Sequence, residues 1–193
     1  MITIRWEALN KTKDVIVTYL RMYLANPKNY IHLISQEVDP TRYVNIDVYV
    51  TEPEDLRDFP VIIISGSSGE MITAGLGDMA LELHNPITNE LVAYRYGGIY
   101  EFNLTVEIGT RSTVDREVLT DLITHALRFA IRRKMEAKGV LVKSMRYAGE
   151  TSVQYNSNNV YVSQINLSTW SEWYDDIELL PAESFDININ EKE

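Results

Sequence analysis

Gly66-Ser67-Ser68-Gly69, directly after the apolar run Val61-Ile62-Ile63-Ile64, has the composition of a phosphate-binding loop. Such a loop needs Gly-Lys-Ser/Thr at the opening of a helix, so that backbone N–H groups and a lysine surround the phosphates. Glu70 follows the last glycine instead, and no helical pattern comes after it. The segment therefore reads as a tight surface turn that closes the strand. Gly75-Leu76-Gly77 lacks the third glycine of a dinucleotide fingerprint. His32, His84 and His125 are far apart and show no metal-ligand spacing. His125 lies beside an apolar helical stripe, where a hydrogen-bonded, partly buried histidine is expected. No Gly-x-Ser-x-Gly elbow presents a serine nucleophile. Asp47 and Glu107 fall on the polar sides of strands, where solvated charge is the default. No catalytic residue, cofactor or metal ligand is expected.

Charge and composition narrow the classes further. The chain has 193 residues, a formal net charge of -10 and no cysteine. Disulfides and cysteine-based sites are excluded, and a broad basic surface for nucleic acid is not available. No run of about 18 apolar residues offers a membrane span. Met1 to Glu7 lacks a basic region followed by an apolar one, so no signal peptide is expected. The chain should be soluble and made in a cytoplasm.

Two clusters could carry contacts instead of chemistry. Arg128, Arg132, Arg133, Lys134 and Lys138 crowd the end of a helical pattern. They could touch nucleic acid, or complement the helix dipole on a solvated face. They could also receive the acidic C-terminus of a neighbour, where Asp175, Asp176, Glu178, Glu183, Asp186, Glu191 and Glu193 are nearly unopposed. Trp170, Trp173 and Tyr174 form a dense aromatic group beside that acidic end. Such residues are enriched at interfaces because they bury area and keep a polar handle. An ordinary core edge is the competing reading.

The elements that position these residues follow from periodicity. Val15, Ile16, Tyr19, Leu20, Tyr23 and Leu24 share one face of a helix from about Asn10 to Ala25, ended by Asn26-Pro27. Tyr30 to Arg42 has no clean period. Val44 to Val50 alternates as a strand, and Val61 to Ile64 reads as a buried one. Residues 71–98 suggest a β-hairpin or arm that turns at Asn85-Pro86 and Thr88-Asn89. After Gly97-Gly98, Ile99 to Ile108 sets Tyr100, Phe102, Leu104, Val106 and Ile108 on one side and Glu101, Asn103, Thr105 and Glu107 on the other. A second helix starts at Ser112 with Asp115 as a capping pair. Its stripe is Leu119, Leu122, Ile123, Ala126, Ala130 and Ile131, and Gly139 stops it. Strands at Val140 to Tyr147 and Val160 to Leu167 close the domain, with Gly149 and Asn156 to Asn159 as turns around a short piece near Val153. The sum is α+β: an antiparallel β-sheet packed on one face by two α-helices, with a β-hairpin arm and an extended C-terminal tail. Residues 1–174 form one expected domain and residues 175–193 the acidic tail.

The order of elements from Gly98 onward has a parallel. The aromatic-aliphatic strand Gly98 to Ile108, the passage through Ser112 into Asp115-Arg116-Glu117-Val118-Leu119, the long helix, and two strands ending in Trp170-Ser171-Glu172-Trp173 resemble tailed-phage tail-terminator and related neck or tail-completion proteins. The resemblance spans residues 95–174. It implies a homohexameric ring that binds the last ring of tail tube protein, stops its polymerisation, and offers its other face to the head-tail connector or stopper. Genomic DNA would pass through the lumen without specific binding, and an acidic wall suits that passage. It also implies a virion location, after assembly in the host cytoplasm, and no catalytic residues. The alternatives are another phage assembly component (head-completion, tube or baseplate subunit) and, from a different class, a small hydrolase or nucleotide-binding enzyme.

Overall fold

The computed structural model describes residues 5–44, 46–50, 59–73, 79–155 and 158–178. Among them the chain folds as α+β, with helices and one sheet of six strands. Helix α1 (Arg5–Leu24) is followed by three short 3-10 turns, strands β1 (Asp47–Tyr49), β2 (Val61–Thr73), β3 (Met79–His84) and β4 (Leu91–Thr110), and helix α2 (Thr113–His125). A π-helical turn (Ala126–Ala130) leads to helix α3 (Arg132–Glu136), then β5 (Val140–Tyr155) and β6 (Asn158–Glu178). The strand order is β1-β2-β4-β6-β5, and β3 continues the β2 side along the first part of β4. The sheet is mixed, because β1 pairs parallel to β2 while the other pairs are antiparallel.

Alternation along β4 decides the core. Phe102, Leu104, Val106 and Ile108 are buried. Their partners across the ladders, Ile62 and Ile64 on β2 and Ile165 and Leu167 on β6, share that side of the sheet. Ile16 and Leu20 of α1, with Leu119 and Ile123 of α2, complete the same buried cluster. The α1 stripe is longer than its periodicity suggested and is turned slightly. Helix begins at Arg5, Ala8 and Leu9 join the core, and Val17 is buried where Val15 is only partly so. Tyr30, in the segment without a period, and Tyr43, just after it, are both fully buried. The Tyr30 hydroxyl bonds Leu24 O at 3.0 Å, and the Tyr43 hydroxyl bonds Asp115 Oδ1 at 3.0 Å.

Several expected boundaries move for one reason: neighbouring strands supply backbone partners where turn residues suggested a break. Ser65 to Gly69 is not a closing turn. β2 runs through it with a bulge between Gly66 and Ser68, paired to β4 throughout. The glycines are needed for clearance, because a Cβ on Gly66 would run into Leu104 and one on Gly69 into the Phe102 ring. Gly97 and Gly98 lie inside β4 rather than ahead of it. Gly149, at φ +125°, marks a bulge in an unbroken β5 instead of a turn between strands. The strand expected over Val44 to Val50 is short, Asp47–Tyr49. β6 continues to Glu178 opposite Ala93, so the first residues assigned to the acidic tail are strand. Residues 179–193 lie outside the described residues.

The hairpin turn falls where the sequence placed it, between β3 and β4, while residues 71–73 of the expected arm belong to β2. Asn85 Oδ1 accepts from the N–H groups of Ile87 and Thr88, and Asn89 adopts a positive φ of 58°. Ser112 caps α2 by accepting from the Asp115 N–H at 3.4 Å. The Asp115 carboxylate faces away from the cap and holds Arg42 at 2.7 Å as well as Tyr43.

Candidate assembly interface

The basic cluster is positioned by the π-helical turn. The Ile131 N–H donates to Ala126 O at 2.9 Å, five residues back rather than four. That extra residue keeps Leu127, Ile131 and Met135 in the core and turns Arg128, Phe129 and Ala130 outward. Phe129 is 65% exposed. Arg132 is held by Glu136 at 2.8 Å. Among the described residues, Arg128, Arg133 and Lys134 have no acidic partner. The sequence flagged the cations but not the apolar side chains around them: Met22 at the end of α1, Ile31 and Leu33 on a 3-10 turn, and Phe129 are all exposed. A stripe search passes over Phe129, because an unbroken α-helical count assigns Ala130 to the buried face and the π turn moves it out.

Under this patch lies an aromatic floor. The Tyr23 hydroxyl and His125 Nδ1 are 3.2 Å apart, and the rings of His32 and Phe129 pack against His125 with centroids 6.3 and 5.5 Å away. Burial, with Tyr30 adding to it, pushes the Tyr23 phenol up to about 12. His125 is thus hydrogen-bonded and partly buried, as its place beside the stripe suggested. A groove of about 150 Å³ runs between Met22, Tyr23, Ala130 and Lys134.

The expected aromatic cluster is divided by strand geometry. Alternation along β6 sends Trp170 and Trp173 to opposite faces. Trp170 lies on the sheet face opposite Phe102, where its Nε1 donates to Glu101 Oε2 at 3.2 Å and Lys143 Nζ sits 4.8 Å from its ring centroid, and it lines a cavity of about 380 Å³ with Arg132 and Glu136 of α3. Ser168 Oγ donates to Glu101 Oε1 at 2.9 Å. Hydrogen bonds from Ser168, Trp170 and Lys143 hold the Glu101 carboxyl below its usual range. Trp173 packs inward with its ring 6.0 Å from that of Tyr100. Its Nε1 is buried with no hydrogen-bond partner among the described residues. Tyr174 returns to the outer face, 57% exposed, with the Arg95 guanidinium 4.4 Å from its ring centroid. Asp175 and Asp176 are strand residues opposite Tyr96 and Arg95, and their side chains lie outside the described ones.

Two further surfaces are apolar. Among the described residues, Val61, Ile63, Val153, Val160 and Val162 line an apolar groove of about 300 Å³. Past the helices, the paired strands carry exposed Ile72, Leu81, Ile87 and Val92. Among the described residues no group of three histidines or carboxylates could hold a metal ion, and no helix is long and apolar enough to cross a membrane. The sequence matches no protein-family model, and no curated protein matches it.

Proposed function

We propose that this protein is a structural subunit that assembles with its own copies into a ring, and that the ring is a tail terminator of a tailed phage. The observation that carries the reading is the sheet arm. β4 and β6 stay paired out to Ala93 and Glu178, β3 adds to them, and apolar Leu81, Ile87 and Val92 stand in solvent. Ile87 is 91% exposed at the hairpin tip. A two-layer core with an uncovered apolar arm is suited to contact between subunits. In this reading helices on one sheet face make the body and the arm reaches a neighbour. The ring caps the tail tube protein, meets the connector or stopper on its other side, and lets DNA pass. A net charge of -10 favours passage over binding. No turnover is part of the role.

Mass in solution, followed by negative-stain imaging with and without tail tube protein, tests the proposal. Rings are expected, stabilised by the tube protein. A strict monomer at every concentration, with tube protein present, sinks it.

A further inference from the structure

We infer that the C-terminal segment of one copy, residues 179–193, docks on the apolar and basic patch around Phe129 of a second copy. The patch has two components. Met22, Ile31 and Phe129 are exposed apolar side chains, and Arg128, Arg133 and Lys134 are cations without an acidic partner among the described residues. The segment is their complement. Phe185, Ile187 and Ile189 alternate with Asp186, Asn188 and Asn190, so an extended chain sets the apolar three on one side. Glu183, Asp186, Glu191 and Glu193 outnumber Lys192. Extended, the segment spans about 50 Å, enough to cross the patch and the groove beside it.

The strand direction starts the segment away from its own patch, and the ring proposed above supplies a second copy as the host. The Glu172 N–H donates to Gly139 O at 2.8 Å, which puts Glu172 level with the chain leaving α3. β6 then runs six residues further to Glu178, a rise of about 20 Å that carries the segment away from its own patch. A segment delivered beyond its own helices and complementary to a surface elsewhere on the same chain makes a head-to-tail contact. The inference names a contact between copies and holds whether the assembly is a tail terminator or another ring.

The test uses the full chain with photoreactive benzoylphenylalanine in place of Phe185. Irradiation should give a covalent product of doubled mass on a denaturing gel, with the link mapped within residues 22–33 or 125–134. Phe129→Ala with Arg133→Glu, both at exposed positions, should leave the circular dichroism unchanged and lower the product about tenfold, the loss of one interface anchor. A link within a single copy, a link mapped elsewhere, no product at all, or an unchanged yield in the double variant would each overturn the docking. Rings that still form when the docking fails leave the proposed function intact, so the two failures are distinguishable.

Discussion

Asp115 joins two parts of the molecule that lie far apart in sequence, and its loss should be felt at once. Tyr43 is fully buried, and its hydroxyl bonds the Asp115 carboxylate, which also binds Arg42. Asp115→Ala leaves the phenol unpaired in the core and should cost about 2 kcal/mol in urea unfolding. Adding Tyr43→Phe should recover part of that loss, because the two residues form one network. Two titrations report on other residues. Glu101 is held below the ordinary carboxylate range by Ser168, Trp170 and Lys143. Its contacts are therefore complete above about pH 4.3 and are lost as pH falls through the lowered value. Trp170 emission should show that step and lose it in Glu101→Gln. Tyr23 has the opposite sign. Its phenol ionises near 10 when unfolded and at about 12 when folded, so the native state binds more protons between the two. Stability should fall as pH rises from 10 to 12, and Tyr23→Phe should flatten that slope.

At the scale of elements, β2 is the instructive strand. Gly69 lies under the Phe102 ring, so Gly69→Ala should destabilise by about 1–3 kcal/mol through overpacking, read as a lower unfolding midpoint. A residue in a surface turn would tolerate the same change. The sequence could not show this, because glycine and serine signal a turn locally, while the clearance that Phe102 and Leu104 need comes from a strand more than thirty residues away. β4 was legible over its second half for the converse reason: its alternation between core and solvent is written in consecutive residues. The two helices were legible as stripes, but the π turn that divides the second into α2 and α3 was not. It shifts the buried stripe from Leu119, Leu122, Ile123 and Ala126 to Leu127, Ile131 and Met135, a change of register set by tertiary packing that no propensity records. The same limit explains the candidate interface. Trp170, Trp173 and Tyr174 look like one cluster along the chain and become three environments once strand alternation places them.

At the scale of the whole molecule, the described residues form an α+β fold in which β3 and the first part of β4 carry exposed apolar side chains, and these should govern association. Leu81→Asp with Ile87→Asp alters two exposed side chains, so the unfolding midpoint should stay put while assembly weakens about tenfold or more in sedimentation. Unchanged assembly would move the contact elsewhere. The strand order also bears on how the chain is made. β6 is the latest of the strands in sequence, yet it sits between β4 and β5 in the sheet. During synthesis β4 emerges with β2 on one side and an open ladder on the other. β5 has no partner until β6 follows it, so the two strands are expected to pair with each other as the edge of β4 is completed. A nascent chain halted before Asn158 presents the unpaired edge beside Phe102, Leu104 and Val106. A chain halted in that interval should therefore aggregate more readily than the full chain, read by pelleting after translation arrest.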